Sequence, residues 1–296
     1  MLHQQAHHHK QYDILFFMNL DLNDNNNTTI EMGHAPSTPS LSFQFVLNKE
    51  EANQLLQEAE QRDLYLAECR DNRANSKARR SCTYAANHVS FDDGQHYQQW
   101  LQDAIPALPL RLRTDLRSIR IIPLMYSADG GMPHTRPYDM ICVPHLKHLE
   151  SMSTLTHELW HVHQRNFQPT WKSIFAELGW TEWTGKLPPS LEENRRYNPD
   201  TIDSPLWIYQ NKWVPLPIFT DISNPVLGNV DIWFYHVEQK YHAKNIPASL
   251  ALEFPDLPSS AYEHPRELTA YLLAEPQKYR HTKAWKIITS LMSGCE

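Results

Sequence analysis

Two histidines four residues apart, with a glutamate directly after the first, carry a definite chemistry by type and spacing: His157-Glu158-Leu159-Trp160-His161. On a helix, positions i and i+4 share one face with Cβ atoms about 6 Å apart, so two imidazoles can hold one metal ion. Glu158 falls beside that ion rather than on it, where it can take a proton from a water held there. The chemistry implied is hydrolysis assisted by one zinc ion. With 17 histidines in the chain, chance produces such a pattern roughly 0.06 times per chain of this composition, so its presence is informative.

The pattern needs a helix, and residues 149–167 can supply one. No Gly or Pro interrupts them, Pro144 precedes and Pro169 follows. Leu155, Leu159 and Val162 form an apolar i, i+4, i+7 stripe for a core, which turns His157 and His161 toward the opposite face. No cysteine lies near the motif, which argues against a closed structural zinc site and for three N/O ligands with a water in the fourth place. His163 points about 200° away from His161 and is not expected to be a ligand.

With its residues in that order, the segment resembles the active-site helix of zincin metallopeptidases. A metzincin pattern would place Gly at 164 and His at 167, where Gln164 and Phe167 stand. The resemblance is therefore to the gluzincin-like arrangement, in which a glutamate from another helix is the third ligand. It implies an α+β fold, with a small mixed or antiparallel sheet packed on the motif helix and a further C-terminal helical part. It also implies one zinc ion, a peptide or protein substrate, and Glu158 as general base.

Thermolysin and the zinc aminopeptidases place the third ligand about twenty residues after the second histidine. Trp180 and Thr181 stand there, with Glu177 and Glu182 nearby but off register. Glu267 is the preferred candidate, because Tyr262-Glu263-His264-Pro265-Arg266-Glu267-Leu268-Thr269-Ala270-Tyr271 resembles the N-P-x-E-x-x-A segment of some compact gluzincin-like peptidases, with His264 in place of Asn. Glu267, Ala270, Tyr271 and Ala274 share one helix face, and the two alanines admit a close neighbour. The alternative is that Glu267 merely favours the macrodipole in a helix first turn. Tyr271 is the first choice to donate to the developing oxyanion, ahead of Tyr262, His236 and Arg266. Residues Gly130 to Pro137 resemble the zincin edge strand to which an extended substrate pairs, with His134 near substrate; they also suit a proline-bearing turn.

Elsewhere the chain reads as one α+β domain over residues 41–296 behind a flexible arm over residues 1–40. That arm is rich in Asn and holds three adjacent histidines, His7 to His9. Phe43 and Phe45 alternate in a strand, Asn48 caps a helix to about Cys69, and a second helix covers His96 to Ala104. Strands are expected from Ile119 to Tyr126 and from Tyr138 to Val143. A long Pro- and aromatic-rich insertion over residues 186–258 should contain strand pieces at Leu206–Tyr209, Trp213–Phe219 and Ile232–Val237. Helices at Pro265–Glu275 and about Thr282–Met292 follow.

A net charge of -7 gives no general attraction to nucleic acid. The cluster Arg70, Arg73, Lys77, Arg79 and Arg80 lacks interleaved aromatics and reads as a solvated basic loop. No stretch approaches the eighteen or so apolar residues of a membrane span, and no signal-peptide core is evident. Cys69, Cys82, Cys142 and Cys295 form no C-x-x-C pair, and a Cys69–Cys82 disulfide is open only for an exported chain. The competing reading is a catalytically inactive zinc-binding or protein-interaction module that keeps the fold; the presence of Glu158 argues for the enzyme.

Overall fold

A computed structural model describes residues 40–293. The expected arm, apart from Ser40, and Cys295 lie outside the described residues. β1 (Ser42–Phe45) buries Phe43 and Phe45 on alternate positions, and α1 (Lys49–Asp63) begins where the Asn48 side chain accepts the Glu51 N–H. The helix stops well before Cys69, because Leu64 turns left-handed at φ 53°. α2 (Tyr65–Asp71) then restarts with the N–H groups of Leu66 and Ala67 on the Glu60 carboxylate and that of Tyr65 on Asp63.

The same two carboxylates hold the fully buried Arg136. Its Nε lies 2.6 Å from Asp63 and its Nη2 3.0 Å from Glu60. A tertiary ion pair thus fixes the helix break, and helical periodicity carries no trace of it. Arg136→Ala would leave Asp63 charged and unpaired in the interior, a loss of roughly 3–5 kcal/mol. The expected result is a lower urea midpoint with an unchanged m-value.

α3 (Arg73–Ala78), α4 (Phe91–Ala104) and α5 (Leu110–Asp115) come next. α4 starts ahead of His96 because Ser90 caps it, accepting the Asp93 N–H. β2 (Ser118–Pro123), β3 (His134–Arg136) and β4 (Met140–Val143) complete a sheet of order β1-β2-β4-β3. Its first three strands are parallel and β3 is antiparallel at one edge. β2 ends before Tyr126. β4 begins after Tyr138 and Asp139, which take φ of 66° and 59° in the turn joining β3 to β4.

α6 (Met152–Asn166) carries the motif, with Ser151 accepting the Thr154 N–H as cap. Leu155, Leu159 and Val162 are buried as the stripe requires, but so are Trp160, His161, His163 and Gln164 on the other sides. α7 (Gln168–Glu177) follows, and then β5 (Trp180–Glu182), α8 (Pro189–Asn194), β6 (Trp207–Tyr209), β7 (Trp213–Phe219), β8 (Val230–His236) and β9 (Tyr241–Ala243). These strands form a five-stranded antiparallel sheet in sequence order. The expected insertion is therefore a second sheet rather than loops with isolated strand pieces.

β7 tolerates Pro215 and Pro217 because it meets β6 only at the Tyr209–Trp213 pair, leaving its later residues without a ladder on that side. The vacant side receives residues 195–198, with the Arg196 N–H on the Pro217 carbonyl at 2.7 Å. The buried Asn75 grips the same segment from α3, donating to the Arg195 carbonyl and accepting the Tyr197 N–H. α9 (Ala248–Glu253), α10 (Pro265–Ala274), α11 (Pro276–Tyr279) and α12 (Lys283–Ser293) end the described chain. One hydrophobic cluster joins Ile121 and Ile141 of the first sheet, Leu159 of α6, Leu268 of α10 and Phe234 of the second sheet. The fold is α+β, and among the described residues no helix is long and apolar enough to cross a membrane. Cys69 and Cys82 are free thiols, so the disulfide between them is absent.

Candidate metal centre

α6 presents the two motif histidines toward α10, where Glu267 sits in the first turn. His157 Nε2 and His161 Nε2 are 3.0 Å apart, and each lies 3.4 Å from Glu267 Oε2. A tetrahedral ion with bonds of about 2.0–2.2 Å spaces its ligand atoms roughly 3.3–3.6 Å apart. Three donors from two helices thus converge at the spacing of one shared metal ion, a grouping of His157, His161 and Glu267 able to hold it.

Each donor is oriented from behind. His161 Nδ1 is 2.9 Å from Gln164 Oε1, whose amide nitrogen donates to the Arg266 carbonyl and to Thr269 Oγ1. With Nδ1 donating to Gln164, Nε2 is left with its lone pair facing the ion position. Asn198 Nδ2 donates to Glu267 Oε1 at 2.8 Å, leaving Oε2 for the metal. Asn198 also bonds Glu263, which is itself paired with Arg196. Losing such a support costs about 10–100-fold in metal affinity. That loss is expected of Asn198→Ala, measured by competition against a chromophoric chelator.

The electrostatics call for a cation. Burial pushes the Glu158 carboxyl well above its usual range, and the Asp200 and Glu267 carboxylates push the same way. Glu158 Oε2 is buried without a hydrogen-bond partner. Burial also works to raise Glu267, yet the two imidazoles against it prevail and hold it low, while Glu267 and Asp200 lift His161 to about 9 against its own burial. Carboxylates packed this closely out of water need positive charge, and a divalent ion at the imidazole–carboxylate convergence supplies it where a proton otherwise must.

A cavity of about 300 Å³ opens beside these groups, bordered by His157, Glu158, Glu267, Tyr271, Asn198 and His134. Tyr271 packs its ring on His157 at 4.5 Å, and burial raises its phenol to about 12. His134 reaches the cavity with both ring nitrogens engaged, Nδ1 with the Met132 carbonyl and Nε2 with Tyr84.

The other candidates lie elsewhere. Glu177 is exposed at the end of α7, and Glu182 pairs with Lys172 on the surface. Tyr262 donates to the Phe254 carbonyl, Arg266 is bound to Asp203, and His236 stacks on Tyr241. His163 is fully satisfied between Asp115 and the Trp171 indole N–H. Arg79, expected in a solvated basic loop, instead pairs with the buried Asp129. Asn198 and Asp200 were not foreseen; Asn198 lies 69 residues from Glu267, and no local pattern links them. No family model, curated protein or solved structure matches this chain.

Proposed function

We propose that the protein is a zinc-dependent metallopeptidase, as its resemblance to the gluzincin-like zincins implies. The observation that carries this reading is the convergence of two imidazoles and one carboxylate at metal-ligand spacing, beside the buried Glu158, whose Oε2 has no hydrogen-bond partner. Two imidazoles with one carboxylate, and no thiolate, form the donor set of catalytic zinc rather than of a closed structural site. When bound, zinc acts as a Lewis acid that polarises a carbonyl and brings a water proton into titration range near neutral pH.

The chain's own residues supply the rest. Glu158, adjoining the ligand His157 but turned into the cavity, accepts a proton from the attacking water and passes it to the departing amine nitrogen. Its buried surroundings keep that carboxyl from being levelled by bulk water. Tyr271, held as a neutral phenol, donates toward the oxygen on which charge develops. Asn198 and Gln164 hold the ligands still while this happens.

A diverse peptide mixture incubated with zinc-loaded and with metal-stripped protein tests the proposal, with products read by mass spectrometry. Cleavage confined to the loaded protein is expected. Cleavage by neither overturns the reading and leaves a binding module that keeps the zinc.

A further inference from the structure

We infer that the cleft is built for short peptides entering end-on and excludes extended chains that would pair with β3; this rests on the peptidase reading above. β3 is the edge strand of its sheet and borders the cavity through His134, with Pro133 just ahead of it. An exposed edge of that kind is where an extended substrate would add as a further strand. In an antiparallel ladder, alternate residues offer their N–H and C=O to opposite sides. The Thr135 N–H is turned away from β4, and the positions that continue its alternation past either end of β3 are Pro133 and Pro137, so a guest strand would meet Pro133, Thr135 and Pro137.

Two of those three have no N–H to give. The third is occupied: Asp200 Oδ1 accepts the Thr135 N–H at 2.6 Å and its hydroxyl at 2.7 Å. Arg165 Nη2 reaches the Thr135 carbonyl at 3.5 Å and hydroxyl at 3.3 Å and donates to the Pro199 carbonyl at 3.2 Å. No backbone donor on this edge is left for a guest strand.

The occluding segment is bolted in place. Arg266 donates to the Asp200 carbonyl at 3.0 Å and pairs with Asp203 at 2.6 Å, and Arg165 pairs with Asp203 at 2.9 Å. Asn75 and the Pro217 carbonyl hold residues 195–197 upstream. Swinging this segment aside would strip several buried charges of their partners, so it acts as a fixed wall. The cavity, about 300 Å³ and open on one side, is at the small end for ligand sites. It has room for about two or three residues of a peptide.

The test is a ladder of peptides from two to twelve residues sharing one scissile pair, given to the zinc-loaded full-length protein. Binding of the same ladder to zinc-loaded Glu158→Gln is measured by calorimetry, a readout independent of turnover. The inference expects kcat/KM and affinity each to be highest for the shortest peptides and to fall at least about tenfold toward the longest. Rates or affinities that rise with length overturn it. Short-peptide binding without any turnover would leave the length limit standing and sink the peptidase reading alone, while binding of no peptide sinks both.

Discussion

Glu158→Gln is expected to lower kcat by roughly 10²–10⁴-fold, the usual share of a positioned general base. The substitution keeps side-chain volume and removes only the ability to take a proton. It leaves His157, His161 and Glu267 in place, so metal content should stay at one ion per chain. The measurement pairs peptide-cleavage kinetics with metal analysis of the same preparation. Equal loss of metal and activity would mean that Glu158 supports the site rather than the chemistry. Unchanged kcat would remove it from the mechanism altogether.

The second large effect is expected at Glu267. An ion that binds the folded chain and not the unfolded one stabilises by RT ln(1 + [L]/Kd), about 4 kcal/mol when the metal stands at a thousand times its Kd. For a domain of this size each kcal/mol moves Tm by about 2–4 °C, so saturating zinc should raise Tm by roughly 8–16 °C. Glu267→Ala removes the only carboxylate among the three donors and should abolish most of that zinc-dependent rise. Thermal scans with and without zinc, on both proteins, check this. Should Glu267→Ala keep the full rise, the third ligand lies elsewhere. The variant has a further consequence, since Asn198 loses an acceptor; the apo Tm of the two proteins therefore has to be compared as well.

The motif helix was legible because its signal is local. His157, Glu158 and His161 sit within one turn and a half of one element inside a Gly- and Pro-free run, and α6 fills that run from Met152 to Asn166. For Glu267 over Glu177 and Glu182 the sequence holds only a short resemblance and two alanines on the same helix face, and α10 packs against α6 there. β7 matches its expected span despite Pro215 and Pro217, because Trp213, Val214, Ile218 and Phe219 favour a strand and turns bound it on either side. Boundaries failed where a side chain from afar sets the end: Leu64 at the α1–α2 break depends on carboxylates recruited by Arg136, and periodicity holds no record of them.

By itself, then, the sequence determined which residues can bear the chemistry and which helices carry them, since helix phase, capping and ligand type are properties of neighbours along the chain. Only the tertiary structure decided the rest. It built the strand pieces after residue 186 into a sheet, and the segment held against its β7 edge brings Asn198 to Glu267. It also set Asp200 on the Thr135 N–H of β3, in a segment that the sequence leaves open between an edge strand for substrate and a proline-bearing turn. Both outcomes rest on hydrogen bonds between residues more than sixty positions apart. Such contacts are selected by the packing of whole layers, which a local pattern cannot encode.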